Sequence, residues 1–284
     1  MTARGGEWRH GFVLAELLVA MVIAAIIGVA LTQLVVSQSQ FVSLQSAMMQ
    51  ARGGARAALN VLTTDVGMVT DSGLLAASPE SVTVRVPYAF AVTCGQLSGR
   101  TYASLLPTDS AVYATALASG YAWQDSTGKY EFVQPATVTT SWGVGCFVVN
   151  PPITMLSVPG SWPITAVQLA PNNVSTPPGA VVYLYQTVRY AFAPSVQLPG
   201  RIALWRTVLS SGTRSELVAP FDSTAGFQFL VGSALTVQGS PPADLTTVYG
   251  LRLKLVSASE QVPEGRTAPM RFALTTNVLF KNHP

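Results

Sequence analysis

The 284-residue chain is 49% hydrophobic and only 10% charged, with a net charge of +3. That composition is too apolar for a disordered chain, and it lacks the repeated long apolar runs of a multi-span membrane protein. Its basic residues are spread thinly, Arg52 with Arg56 and Arg252 with Lys254 being the closest groupings, so no basic groove for nucleic acid is indicated.

Residues 1–11, MTARGGEWRHG, are polar and mildly basic and end on Gly11. From Phe12 to Leu31 the chain is apolar, with Glu16 as its single charged residue. At 1.5 Å per residue that run spans about 30 Å, the thickness of a bilayer core. A secretory signal would be cut after its apolar stretch, behind small residues. Here the polar-to-apolar boundary lies before the stretch, at Gly11–Phe12, so the apolar segment is expected to stay in the mature protein. Arg4 and Arg9 precede it and the next basic residue is Arg52. This places the N-terminus on the cytoplasmic side and the remainder outside. A carboxylate inside such a segment costs several kcal/mol and is usually paired and functional. A cut after Gly11 would create an α-amino group on Phe12, four residues before Glu16. In a helical assembly the amine of one subunit can meet the acid of its neighbour.

The stretch Gly11-Phe12-Val13-Leu14-Ala15-Glu16, followed by the apolar run, resembles the processing site of type IV prepilins and type II secretion pseudopilins. That resemblance implies cleavage between Gly11 and Phe12 by a prepilin peptidase, N-methylation of Phe12, and Glu16 as the residue setting subunit register. It also implies as partners the other major and minor pilins, an inner-membrane assembly platform and membrane lipid. Val13 and Ala15 stand where the family more often has Thr or Ser and a larger aliphatic residue.

Beyond Val36 the pattern turns amphipathic, with Phe41, Leu44, Met48, Ala51, Ala55, Ala58 and Leu62 on one helical face. We expect one helix from about residue 12 to about residue 67. Residues 12–36 would be the membrane or filament-core half and residues 37–68 the amphipathic half, with a β-rich head over 69–284. Gly53–Gly54 weakens the helix by roughly 1 kcal/mol per glycine.

In the head the period switches to two. Strands are expected at 82–86, 89–94, 111–117, 138–149, 180–193, 202–209, 226–231, 248–257 and 269–280, and a hairpin over 121–134 around Asp125–Gly128. Breaks are read at 150–162, 171–179, 194–200 and 239–244. Strand follows strand, so the fold class is α+β: a long N-terminal transmembrane helix, pilin-like, packed on a mainly antiparallel sheet. The only cysteines, Cys94 and Cys146, are either a disulfide, in an oxidising compartment, or two buried thiols. Short strings over 180–282, among them Val188-Arg189-Tyr190 and Leu204-Trp205-Arg206, resemble the larger minor pilins, of the PilW and GspJ type.

The histidines are His10 and His283, the latter next to the C-terminus, so the interior of the head lacks the usual general base and the commonest metal ligand. No HExxH, GxSxG, P-loop or GxGxxG pattern occurs, so neither an enzyme, a metal nor a cofactor is expected. Asn173-Val174-Ser175 fits a glycosylation triplet and reads as a surface loop. Tyr121, Trp123, Tyr130 and Phe132 are expected on one face of their hairpin, packed on the sheet or exposed for a partner. Trp142, Trp162 and Trp205 read as packed residues. Arg189, Arg206, Arg252 and Lys254 read as solvated strand faces. The expectation is a minor pilin that primes or caps a type IV pilus. Alternatives are a secretion pseudopilin, a DNA-uptake pilus subunit, and a membrane-anchored adhesin or periplasmic enzyme.

Overall fold

The computed structural model describes residues 14–70, 72–134, 137–142, 146, 165–170 and 176–281. It begins with a single helix, α1 (Leu14–Gly67), of 54 residues, about 80 Å long. No proline interrupts it, and it runs unbroken through Gly53–Gly54. A Cβ on Gly53 would meet nothing within 4 Å, and one on Gly54 would make ordinary contact with Ser257 and Val218. The glycine pair is thus a tolerated weak point.

After α1 come β1 (Leu74–Ser78), β2 (Ser81–Leu97), β3 (Arg100–Leu105), a short helix α2 (Pro107–Thr115), β4 (Gly120–Gln124), β5 (Tyr130–Val133), β6 (Thr137–Trp142) and β7 (Thr165–Ala170). The chain continues with β8 (Val181–Pro194), β9 (Ile202–Val208), β10 (Arg214–Phe221), β11 (Gly226–Val231), β12 (Thr236–Gln238), β13 (Val248–Ala258) and β14 (Arg271–Leu279). The strands form one sheet in the order β12-β11-β13-β10-β9-β8-β2-β3-β7-β6. β1 joins on β2, β14 on β13, and the β4–β5 hairpin on β8. Every pairing is antiparallel. The fold is therefore α+β, with one long apolar helix and a large antiparallel sheet.

The buried seam of α1 is Ala47, Ala51, Ala55, Ala58, Leu62 and Val66, at helical spacings of three and four. Small side chains let the helix backbone lie close to the sheet. Leu62 and Val66 then fill the space over Val82, Val84, Val86, Val188, Leu251 and Leu253. Along β13 the alternation is as read: Leu251, Leu253 and Leu255 are buried, while Arg252 and Lys254 face away. The seam begins at Ala47, later along α1 than expected. Phe41 is 58% exposed and Leu44 and Met48 only half-buried, because the sheet ends near the level of Ala51, whose carbonyl accepts a hydrogen bond from the Ser257 hydroxyl.

β2 and β8 pair along most of their length, from Ser81↔Ala191 to Val92↔Val181, and carry the sheet past the end of α1. The two strands expected at 82–86 and 89–94 are one strand, whose register shifts at Pro87/Ala89. A second core of Ala91, Leu105, Tyr121, Val167, Val182 and Leu184 forms there. Beside it Cys94 and Cys146 are joined in a disulfide with Cα atoms 5.1 Å apart, packed on Ala166 and Tyr102. Closing a loop across 52 positions stabilises this lobe by about 2–4 kcal/mol.

Residues 111–117 are not a strand: Pro107–Thr115 is helical. Proline at the first helical turn is pre-set for the helix, and Asp109 in the same turn complements its positive end. The carboxylate also accepts a hydrogen bond from the Phe90 amide at 2.9 Å, tying α2 to β2. β1, β3, β7, β10 and β12 were not expected as strands. For β3 the signal is present: Ser98 and Gly99 both have positive φ, at 52° and 72°, forming the two-residue turn that favours tight hairpins. The hairpin over 121–134 is observed, but its aromatics alternate. Tyr121 packs with Val133 in the second core, where Trp123 also packs, while Tyr130 and Phe132 pack on Tyr183 from the other face. Opposite placement follows from the pairings Tyr121↔Val133 and Ala122↔Phe132.

We expect Leu62→Ala to lower the unfolding free energy of the full chain in detergent by about 2–5 kcal/mol. Leu18→Ala, on the exposed part of the same helix, should change it by less than about 0.5 kcal/mol. Denaturant titration followed by circular dichroism compares the two.

Candidate functional site: the uncovered half of the helix

Four contacts fix how α1 lies along the head. Near its middle, the Ser39 hydroxyl donates to Glu264 Oε2 at 3.0 Å, and the Glu264 amide donates to Ser43 Oγ at 3.2 Å. Next comes the Ser257–Ala51 hydrogen bond. Further along, the Tyr190 hydroxyl donates to Asp65, and Arg206 Nε donates to Tyr190 Oη at 3.1 Å and sits 3.5 Å from the Asp65 carboxylate. At the far end Thr70 and Tyr183 share a hydrogen bond of 2.9 Å, and the Lys281 amide reaches the Val69 carbonyl. The disulfide lobe lies beyond this point. The free N-terminal half of α1 therefore leaves the head at the end opposite that lobe.

From Leu14 to Phe41 every residue of α1 is exposed. From Leu14 to Leu31 the side chains are nevertheless apolar on all sides apart from Glu16: Leu14 is 80% exposed, and Leu18, Met21, Ile23, Ile26 and Val29 are each more than half exposed. A helix apolar all round is stable only when another medium or chain covers it. By length and composition this segment is sufficient to cross a membrane. Glu16 stands in its first turn, where an acid complements the positive helix end. Gly11 and Phe12 lie outside the described residues, as do His10, His283, Trp162 and the Asn173–Ser175 triplet. Cys94 and Cys146 are brought together.

Arg206 is not a solvated strand residue: it closes the Asp65–Tyr190 contact between helix and sheet. This polar junction was missed, although a signal existed. Asp65 falls on the same helical face as Ala47, Ala51 and Ala58, and a charge on an apolar face calls for a buried partner. The Glu264 strap had no local signal, since its partner Ser39 is 225 positions away. Trp205 is packed, its indole donating to the Pro194 carbonyl at 3.2 Å with Arg214 stacked 4.0 Å over the ring.

Elsewhere the described part of the head has a dense aromatic cluster. Tyr130, Phe132, Tyr183 and Tyr185 cluster around Arg85, whose guanidinium lies 4.2 Å over the Phe132 ring and donates to the Ser72 carbonyl. Burial pushes the Tyr183 and Tyr190 phenols above the ordinary tyrosine range, and Asp65 pushes Tyr190 further the same way. Asp222 is held below the ordinary carboxylate range by hydrogen bonds from Thr224 and by Arg271 at 2.9 Å. Among the described residues no group of three His, Cys, Asp or Glu is placed to hold a metal. No protein-family model, curated protein or solved structure matches the chain.

The shifted groups set a pH window. The buried tyrosines are easier to ionise in the unfolded chain, so their contribution is complete below about pH 10 and is lost as pH rises beyond it. Asp222 is harder to protonate when folded, so its contribution holds above about pH 4 and is lost as pH falls further. The thermal midpoint of the head should be level between these limits and fall outside both. A midpoint that keeps rising above about pH 10 would contradict the tyrosine assignment.

Proposed function

We propose that the chain is a filament subunit of the type IV pilin kind, a minor pilin that primes or caps the fibre. In this reading it waits in the inner membrane as a single-pass protein with its N-terminus in the cytoplasm and its head outside. A prepilin peptidase removes residues 1–11, and the assembly platform lifts the processed chain among the other pilins. The single observation that carries the reading is the division of α1. One half is an alanine-seamed helix fastened to a sheet, and the other is an uncovered apolar rod headed by Glu16. The rod is covered by lipid before assembly and by neighbouring helices after it, so the same surface serves anchoring and polymerisation.

Glu16 supplies register in this scheme. A bare apolar rod can slide against its neighbours at little cost, whereas a carboxylate that must meet an amine on the adjoining Phe12 selects one axial position. Glu16→Val makes the rod more apolar, so it should enter the membrane at least as readily as the natural chain. We expect it to reach sheared filaments at least about tenfold less, the effect of losing one pairing of about 1.4 kcal/mol. Its head should melt at the unchanged temperature. Quantitative immunoblotting of filament and membrane fractions measures this, and equal incorporation would defeat the register role.

A further inference from the structure

The loop of residues 259–270, between β13 and β14, reaches along α1 toward the uncovered half as far as Ser39. Glu264 is hydrogen-bonded to Ser39 and Ser43, and Gly265 lies so close to Gln40 that a Cβ there would come within 3.3 Å of its side chain. Between loop and helix is an open cleft of about 420 Å³, lined by Ser37, Gln40, Phe41, Leu44, Glu264 and Arg266 together with Gly265.

The position of this cleft depends on the membrane reading proposed above. Val36 closes the apolar run, and Ser37 to Phe41 rise about 1.5–7 Å above it. The headgroup layer on each side of a bilayer core is about 5–8 Å thick. A bilayer that covers residues 14–36 therefore has its headgroups at the mouth of the cleft. The lining matches what is found at that depth. Arg266 is an exposed cation with no ion pair among the described residues. Glu264 commits Oε2 to Ser39, and Oε1 is engaged by no described residue. Phe41, 58% exposed, and Leu44 line the cleft from the helix side. A cation and an anion two residues apart at headgroup depth complement a zwitterionic headgroup.

We propose that this cleft binds one phosphatidylethanolamine molecule. Arg266 takes the phosphate and Glu264 takes the ammonium, while the acyl chains run down α1 along the groove past Leu34 and Ala30. The lipid thus completes the wall between loop and helix and fixes the depth at which the head sits.

The test uses the full-length chain in detergent, offered equal amounts of phosphatidylethanolamine and phosphatidylglycerol and then examined by native mass spectrometry. Flotation of the same proteins on liposomes of the two lipids runs in parallel. The natural chain should retain one phosphatidylethanolamine in preference to phosphatidylglycerol. Arg266→Glu should reduce that retention at least about tenfold, the effect of losing one hydrogen bond to a charged group, while floating as well as the natural chain. Equal retention by the two proteins, or equal retention of the two lipids, would overturn the site and leave the membrane reading standing. Failure of the natural chain to float would overturn the membrane reading and the site with it.

Discussion

The close approach of α1 to the sheet, set by the small side chains of Ala47, Ala51, Ala55 and Ala58, determines how the rest of this molecule is arranged. Small residues bury little area themselves. Their effect is to bring Leu62 and Val66 within reach of the valines of β2 and the leucines of β13. Apolar burial per residue is then high where the helix touches the sheet and low where it does not. The same helix is covered on one side along its second half and on no side along its first.

Polar contacts place the helix where apolar packing alone would allow it to slide. Glu264 holds it near the middle, Ser257 meets the carbonyl of Ala51, and Asp65 with Tyr190 and Arg206 closes the upper end. The Ser257 and Asp65 contacts are partly or fully withdrawn from water, so an unmatched partner is penalised there and axial position is specified. A helix held in this way can transmit a pull along its length to the head without rotating in its seat. On the proposed reading such a pull is what extraction from the membrane applies.

Much of this arrangement could be read from the residues. The twenty apolar residues, the absence of proline and the three-and-four spacing announced α1 almost to its observed end. Period-two alternation in Val82–Val86 and Leu251–Leu255 announced two of the core strands. What failed did so for physical reasons. Strand β3 is short and mixed in polarity and is recognisable only by its Ser98–Gly99 turn. The segment around Asp109 has valine, tyrosine and alanine, which suit strand and helix alike, and Pro107 decided for helix. Phe41 was read as core because periodicity reports a face but not where the covering sheet ends. Contacts such as Ser39–Glu264 join residues 225 positions apart and leave no local trace. For the site, Gly11, Phe12 and Glu16 rest on sequence alone, while the cleft beside Arg266 came only from the fold.

The central claim is that the uncovered rod enters assembly headed by a newly made amine on Phe12. Mass spectrometry of the N-terminal peptide, from protein recovered in the filament or membrane fraction of cells with an active prepilin peptidase, tests it most directly. The account predicts a peptide that begins at Phe12 and carries one added methyl group. A peptide that begins at Met1 in assembled material would contradict it.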